Sequence, residues 1–506
     1  ENVVLASKEG SINNITEVRG SGSSIDYSTS IGQVSSIESD GILILNAGQD
    51  INNKGAKLKA GDGAIIQAGN NINIESIQHK TASTNSIKNG QTTTRTVTNM
   101  GSTVDIAGDV ILNSGNNTTI SGSDVNVSGL LYAKTGGDFK LESVQDTTET
   151  ETTTSRSGLG VGGGVWGKET VKTLDFEGKN KASNLNVGQL AIEADQKVII
   201  AGSNINMTDA DTTNMIYGKA GVDILDGKDE TRHEKTTTTT TYLKATKGKS
   251  SNDEPIYGST VDGFVQKQEL TITQQAYVDA NQDESGVQTQ AEATTQRSKL
   301  RANAEVRAEA SAQGESSLKI SETTKTVDKS ATSSSIASNI NSAGDLKIIS
   351  EGTVNVRGSN LDVNGALAIK AQDLIVEAGQ NTATASRDMT RTSVGIFAEG
   401  DAKAQANAQV GANVAANGVD VGGSAGASAE ASGTVTFGVK HEQENQSMQS
   451  TTHTQSSLKS GEDMTLIVDN TATFKGANVE AGIRNEDGSL NQRGDIYIKA
   501  KDINNL

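Results

Sequence analysis

The chain of 506 residues contains no cysteine and a single proline, Pro255. At ordinary usage of about 5%, a chain this long carries roughly 25 prolines. Aromatic residues amount to 3%, too few for the wide core of a large globular domain. Without cysteine there is no disulfide framework, thiolate zinc site or cysteine nucleophile. No apolar run reaches the ~18 residues of a membrane-spanning helix, and no basic-then-apolar leader opens the chain. The 62 acidic against 44 basic residues give a net charge of −18. That field repels a phosphate backbone, so nucleic acid is excluded as the expected partner. The chain starts on Glu1-Asn-Val-Val-Leu and stops on Ile503-Asn-Asn-Leu506 in mid-pattern, and it reads as a piece of something longer.

Short β-branched runs recur throughout, which argues against disorder. A hexapeptide of Gly, small, Asn/Asp/Lys, aliphatic, any, small or aliphatic appears five times. Its glycine and aliphatic positions are Gly55 and Leu58, Gly122 and Val125, Gly202 and Ile205, Gly358 and Leu361, and Gly476 and Val479. Around these copies apolar residues repeat 21 apart: Leu43 to Ala64, Ile51 to Ile72, Val110 to Leu131 and Leu346 to Leu367. Within each interval they alternate, as in Leu346/Ile348 and Val354/Val356, which is the period of a strand. Short strands separated by Gly-Asn/Asp turns at about 20–21 residues predict the coils of a parallel β-helix, an all-β solenoid. Stacked coils use nearly every strand amide, so proline is shut out.

Five cassettes of about two coils lie near 38–79, 100–142, 184–226, 336–380 and 457–506, with a partial coil in 1–20. On the order of 10–12 coils would give roughly 50–60 Å of rod. This divides the chain into 1–226 (cassettes with Ser/Thr/Gly-rich insertions), 227–335 (a long insertion breaking the repeat), 336–380 (cassette), 381–456 (an Ala/Gly/Ser-rich excursion) and 457–506 (cassette). The insertions still alternate. Residues 385–455 read as a long hairpin, with Asn417-Gly418 as its turn signal, and 147–183 reads the same way. Isolated ribbons are marginal, so they are expected to lie against the rod. Residues 290–312 fit strand or helix, with strand favoured.

The cassettes, such as Ala343-Gly-Asp-Leu-Lys-Ile-Ile-Ser with Gly358-Ser-Asn-Leu-Asp-Val and Ala378-Gly-Gln-Asn-Thr-Ala-Thr-Ala-Ser, resemble the haemagglutinin repeats of filamentous-haemagglutinin-type exoproteins. The Ser/Thr-then-Gly stretches at Thr152–Gly164 and Arg391–Phe397 are similar to the segments that trail the cassettes in that family. The resemblance implies a right-handed β-helix in a filament on the surface of a Gram-negative bacterium. It implies two-partner secretion, with a dedicated outer-membrane pore as partner. Some relatives are adhesins; others are effectors of contact-dependent growth inhibition that carry a C-terminal toxin. Their second repeat region, which this chain resembles, is implicated in passage through the outer membrane of a neighbouring cell. Neither a secretion domain nor a toxin is recognisable here.

Chemical motifs are sparse. Asp279-Ala-Asn281-Gln-Asp283-Glu-Ser-Gly286 looks like the start of a calcium loop but has Glu284 at the sixth position and Gln290 at the twelfth; it reads as a polar turn. The four histidines, 79, 233, 441 and 453, have no zinc spacing. No catalytic, metal or cofactor residue is assigned, and catalysis is not expected. Trp166, the only tryptophan, reads either as a contact for a partner or as a hairpin side chain packed on the rod. Three functions are compatible with these features: a stalk or translocation segment of a toxin-bearing exoprotein or adhesin, a module binding a receptor or glycan directly through 227–335, and a polysaccharide-degrading β-helix enzyme. Lateral self-association through strand edges is a further expectation.

Overall fold

A computed structural model describes residues 1–23, 25–246, 304–310, 314–400, 404–415, 418–429, 433–484 and 490–506. Pro255, the Asp279–Gly286 motif and residues 290–303 lie outside them. Among the described residues every regular element is a strand apart from one short 3₁₀ turn, Val161–Gly163. No helix among them is long and apolar enough to cross a membrane.

The alternating runs form a stacked parallel solenoid. Each coil supplies one or two strands, and the last coil three, to a 20-stranded sheet and one strand to an 11-stranded sheet. Coil 2, for example, comprises Ser36–Ser39 and Ile42–Ala47 in the first sheet and Ile51–Lys54 in the second. Eleven coils run from Val3–Ser7 with Ile12–Ile15 to the last strand, Asp502–Asn505. The 21-residue interval is the coil-to-coil register: Leu43 pairs with Ala64, Ile51 with Ile72, Val110 with Leu131 and Leu346 with Leu367.

The core is narrow because only alternate residues face inward. One inner row runs Leu58, Val104, Val125, Leu185, Ile205, Ile340, Leu361, Leu458, Val479, each paired with the next. All are buried except Val479, which is partly buried in the last coil. Each buried Leu, Ile or Val contributes about 1.5–3 kcal/mol of transfer free energy. Rows of this kind, repeated over eleven coils, replace the aromatic core that the composition cannot provide.

The insertions leave the solenoid as antiparallel ribbons, and the coils on either side stack directly across them. Ribbon 1 is Val18–Gly22 with Tyr27–Ile31, and ribbon 2 is Ile77–Ile87 with Gly90–Met100. Ribbon 3 is Val144–Leu159 with Trp166–Lys181. Ribbon 4 is Gly227–Thr246 with Gly314–Ile336, and ribbon 5 is Gly379–Gly400 with Gly433–Thr454. Beyond ribbons 4 and 5, Ala304–Ala310, Ala404–Ala415 and Gly418–Ala429 form a separate three-stranded sheet, in which Ala415 pairs with Gly418. The segment 227–335 thus starts and ends as a ribbon like the others rather than as a break in the pattern.

The expectation that ribbons lie against the rod is corrected. They pair edge to edge with one another in a ten-stranded antiparallel sheet, from Val18–Gly22 at one end to Gly433–Thr454 at the other. The outer face of the rod remains open, with Ile65 and Ile111 about 40% exposed. Pairing satisfies the backbone groups of both ribbon edges, which polar Thr/Ser ribbons cannot achieve by resting on a rod side.

Candidate functional site

The feature common to every cassette is the corner where the chain passes from the 11-stranded sheet to the next coil. Two kinds of corner alternate. The tight kind carries the hexapeptide glycine; the other kind carries a ribbon. Gly55, Gly122, Gly202, Gly358 and Gly476 all have φ between 54° and 59°, the left-handed region in which a Cβ costs about 1–2 kcal/mol. Space excludes a side chain as well. A Cβ on Gly55 would lie 2.4 Å from Ile77 Cγ1, and one on Gly122 would lie 2.4 Å from Val144 Cγ2. On Gly202 and Gly358 it would lie 2.8 Å from the Cα atoms of Gly227 and Gly379. Ile77, Val144, Gly227 and Gly379 are the first residues of ribbons 2 to 5. Each of these glycines therefore lies against the root of the ribbon that leaves one coil later.

This alternation sets a dimension. Two coils rise about 9.6 Å, and a two-stranded ribbon is about 9.6 Å wide. One ribbon every second coil is the spacing at which neighbouring ribbons meet at hydrogen-bonding distance. Ribbons 2 and 3 pair from Gly90–Thr154 to Val97–Thr147, ribbons 3 and 4 from Trp166–Tyr242 to Gly178–Glu230, and ribbons 4 and 5 from Gly314–Gly400 to Ser333–Thr382.

Beside the glycine runs a buried serine ladder that sequence reading missed. The amide of Ser102 donates to Ser123 Oγ, Ser123 to Ser183, Ser183 to Ser203, Ser203 to Ser338, and Ser359 to Ser456, at 3.0–3.3 Å. Each hydroxyl donates in turn to a corner carbonyl, as Ser183 does to Glu142 at 2.7 Å and Ser456 to Glu377 at 2.6 Å. These serines are 0–1% exposed, so an unmade bond there would be costly. The rungs are 20, 21, 60, 97 or 135 residues apart, which hides them from a search at one period.

A clamp joins each ribbon to the one before it, through its third residue. Asp146 Oδ1 accepts the Asn99 amide at 2.7 Å, Asp229 Oδ1 accepts Asn180 at 2.6 Å, and Asn381 Oδ1 accepts Ser335 at 2.6 Å. His79 takes the same place, 3.0 Å from Thr29 Oγ1. At the root of ribbon 4, Asp226 is buried. Burial raises its pKa, but the charges of Lys228, 2.6 Å away, and of Arg357 outweigh that and lower it. Arg357 comes from the strand stacked one coil later and lies 2.9 Å away.

Farther out, Glu322 is 4% exposed in its side chain. Burial pushes its pKa up, but Lys244 at 2.8 Å and Lys319 prevail and hold it at about 2. Ser393 donates to it at 3.1 Å. The cluster thereby ties ribbon 4 to ribbon 5. One residue before Lys244, Leu243 sits at φ 53°, a strained conformation for a branched residue. Threonines face each other across strands, such as Thr84 with Thr93 at 2.9 Å and Thr92 with Thr152 at 3.1 Å.

Trp166 starts the second strand of ribbon 3, on the order of 50 Å from the corner at about 3.4 Å per residue. It packs neither on the rod nor alone. Its ring centroid is 5.6 Å from that of Tyr242 in ribbon 4, and Leu159 opposite it is 59% exposed. Among the described residues, no group of three or more His, Cys, Asp or Glu is placed to hold a metal ion.

The hemagglutinin repeat family matches residues 17–90, 84–158 and 318–501, more than half of the chain. The first two spans run from one ribbon, through two coils, into the next ribbon. No curated protein and no solved structure matches the chain.

Proposed function

The chain belongs to the hemagglutinin repeat family, and from that premise we propose that it is a structural segment of a large secreted bacterial surface filament, exported by two-partner secretion through a dedicated outer-membrane pore. Within the filament it acts as a stalk. In an effector of contact-dependent growth inhibition it is the part engaged in carrying a toxin across the outer membrane of a neighbouring cell. The observation that supports this reading is the commensurate build of the corner: one ribbon per two coils. It turns the repeat into three continuous sheets, two in the rod and one of ribbons, that can be lengthened unit by unit. The two buried carboxylates with displaced pKa values, Asp226 and Glu322, are both held by basic side chains at joints between strands, which suits a load-carrying part.

The test is an in-frame excision of 227–335 from the parent exoprotein, read by secretion, attachment to target cells and toxin delivery. The proposal expects secretion and attachment to persist while delivery falls. Loss of attachment alone would overturn it and favour a direct receptor- or glycan-binding module. Turnover of a polysaccharide, abolished by neutralising exposed carboxylates, would favour the enzyme reading.

A further inference from the structure

The strands that follow the first corner of each coil present a bare outer face. Their inward residues, Leu45, Ile66, Leu112, Ala133, Ile192 and Ile216, are buried, so the residue before each points outward. These outward residues are Ile44, Ile65, Ile111, Tyr132, Ala191 and Met215, and each pairs with the next across adjacent coils. They form one apolar row along the outside of the rod, with no charged residue in it. Ile65 and Ile111 are 38% and 42% exposed. A parallel sheet is ordinarily covered on both faces; here the core covers one face only. The ribbons do not supply the second cover. Each leaves from the corner between the 11-stranded sheet and the start of the next coil, a corner that the strands of this face do not border.

We propose that this face is an interface with a second copy of the chain, the two rods lying face to face and antiparallel about a two-fold axis. The contact joins faces, not strand edges. The axis lies between the two faces, at right angles to the rods and level with the step from Tyr132 to Ala191. Residues of one copy then face those of the other in reversed order. Tyr132 faces Ala191 of the second copy, Ile111 faces Met215, and Ile44 faces Ala368. In the neighbouring outward row, Lys134 faces Glu193, its counterpart one coil on. Lys347, which ends the apolar row, faces Ile65 and lays its aliphatic stem along it. A parallel pair would instead set the row against its own duplicate, Lys347 against Lys347. The eight coils from Ile44 to Ala368, at ~4.8 Å each and ~17–20 Å wide, offer about 650–750 Å² per copy. The total, about 1,300–1,500 Å², falls within the roughly 1,200–2,000 Å² of stable specific interfaces. The ribbons of both copies point away from the contact. The inference does not depend on the delivery role proposed above.

Sedimentation over a range of concentrations tests the association, and cross-linking tests its sense. The expected result is a species of twice the chain mass. Ile65→Lys with Ile111→Lys should return it to a monomer with an unchanged β spectrum. Phe437→Lys with Val439→Lys, on ribbon 5, should leave the dimer intact. Because the chain has no cysteine, Ile111→Cys and Met215→Cys chains each carry a single thiol. Mixed, the two should be joined to one another by a short bis-maleimide that spans the ~10 Å between packed sheets, and neither should be joined to its own kind. A monomer at every concentration, a dimer broken by the ribbon substitutions and not by the rod ones, or Ile111→Cys chains joined to one another, would overturn the proposal.

Discussion

Replacing Gly122 with alanine probes the corner, because two penalties coincide there. At φ 56° an alanine pays about 1–2 kcal/mol for a left-handed backbone. Its Cβ would also lie 2.4 Å and 3.1 Å from the two methyl groups of Val144, so rotating the valine does not clear the space. Overpacking of this kind costs about 1–3 kcal/mol. The sum is about 2–5 kcal/mol, placed where the coil of Asp124–Thr135 and Phe139–Glu142 meets the root of ribbon 3. Gly160 provides the control. Its φ is 78°, and a Cβ there would meet nothing within 4 Å, so Gly160→Ala should show the backbone penalty alone. Stacked coils need not unfold as one unit, so the appropriate assay is native-state hydrogen exchange on Asp124–Thr135 and Val144–Leu159. Gly122→Ala should lower protection there by more than about tenfold, since each 1.4 kcal/mol is a factor of ten. Val144→Ala in the same chain should recover the steric part, while Gly122→Asn, which tolerates the backbone, should not. If Gly122→Ala costs no more than Gly160→Ala, or if Val144→Ala gives no recovery, the argument that ribbon roots press on the tight corners is refuted.

Ser183→Ala removes a 0% exposed hydroxyl and its bonds to the Glu142 carbonyl and the Ser123 amide; a loss of about 1–3 kcal/mol is expected, seen as faster exchange at Asn184–Ala194. Glu322, held at about 2 against an ordinary 4.5, gives stability that is complete above the unfolded-state value. That stability is lost as pH falls from about 4.5 through about 2, an effect of roughly 3 kcal/mol. Glu322→Gln should flatten this acid dependence in the exchange of ribbons 4 and 5, and an unchanged profile would contradict the assignment. Trp166, as the only tryptophan, reports on the ribbon ends by fluorescence: Tyr242→Ala should shift its emission to the red and cost about 0.5–1.5 kcal/mol locally, with no change in exchange within the coils.

The coils were legible from the sequence because a solenoid is periodic along the chain. Leu43 over Ala64 and Leu346 over Leu367 follow from counting, since each inward residue stacks on its counterpart one coil away. The recurring hexapeptide marked the five glycines and, three residues on, Leu58, Val125, Ile205, Leu361 and Val479 of the inner row. Asn417 of the Asn417-Gly418 signal itself lies outside the described residues; on either side of it Ala404–Ala415 pairs with Gly418–Ala429. The hairpin at 77–100 went unread, although Asn89, at φ 64°, precedes Gly90 in the same Asn-Gly signal.

What only the tertiary structure decided is what the ribbons do. A Thr/Ser ribbon has no apolar face to choose its neighbour or its register, so nothing in Thr147–Thr154 announces Gly90–Val97 as its partner. That choice comes from geometry: ribbon roots two coils apart are held one ribbon width apart by the stack beneath them. The serine ladder and the clamps at His79, Asp146, Asp229 and Asn381 are set by the same distances in space. They cross insertions of unequal length, so no single period marks them, although Ser123, Ser203 and Ser359 each directly follow a hexapeptide glycine. Local period determined the rod; the sheet beside it arises because two coils and one ribbon have the same width.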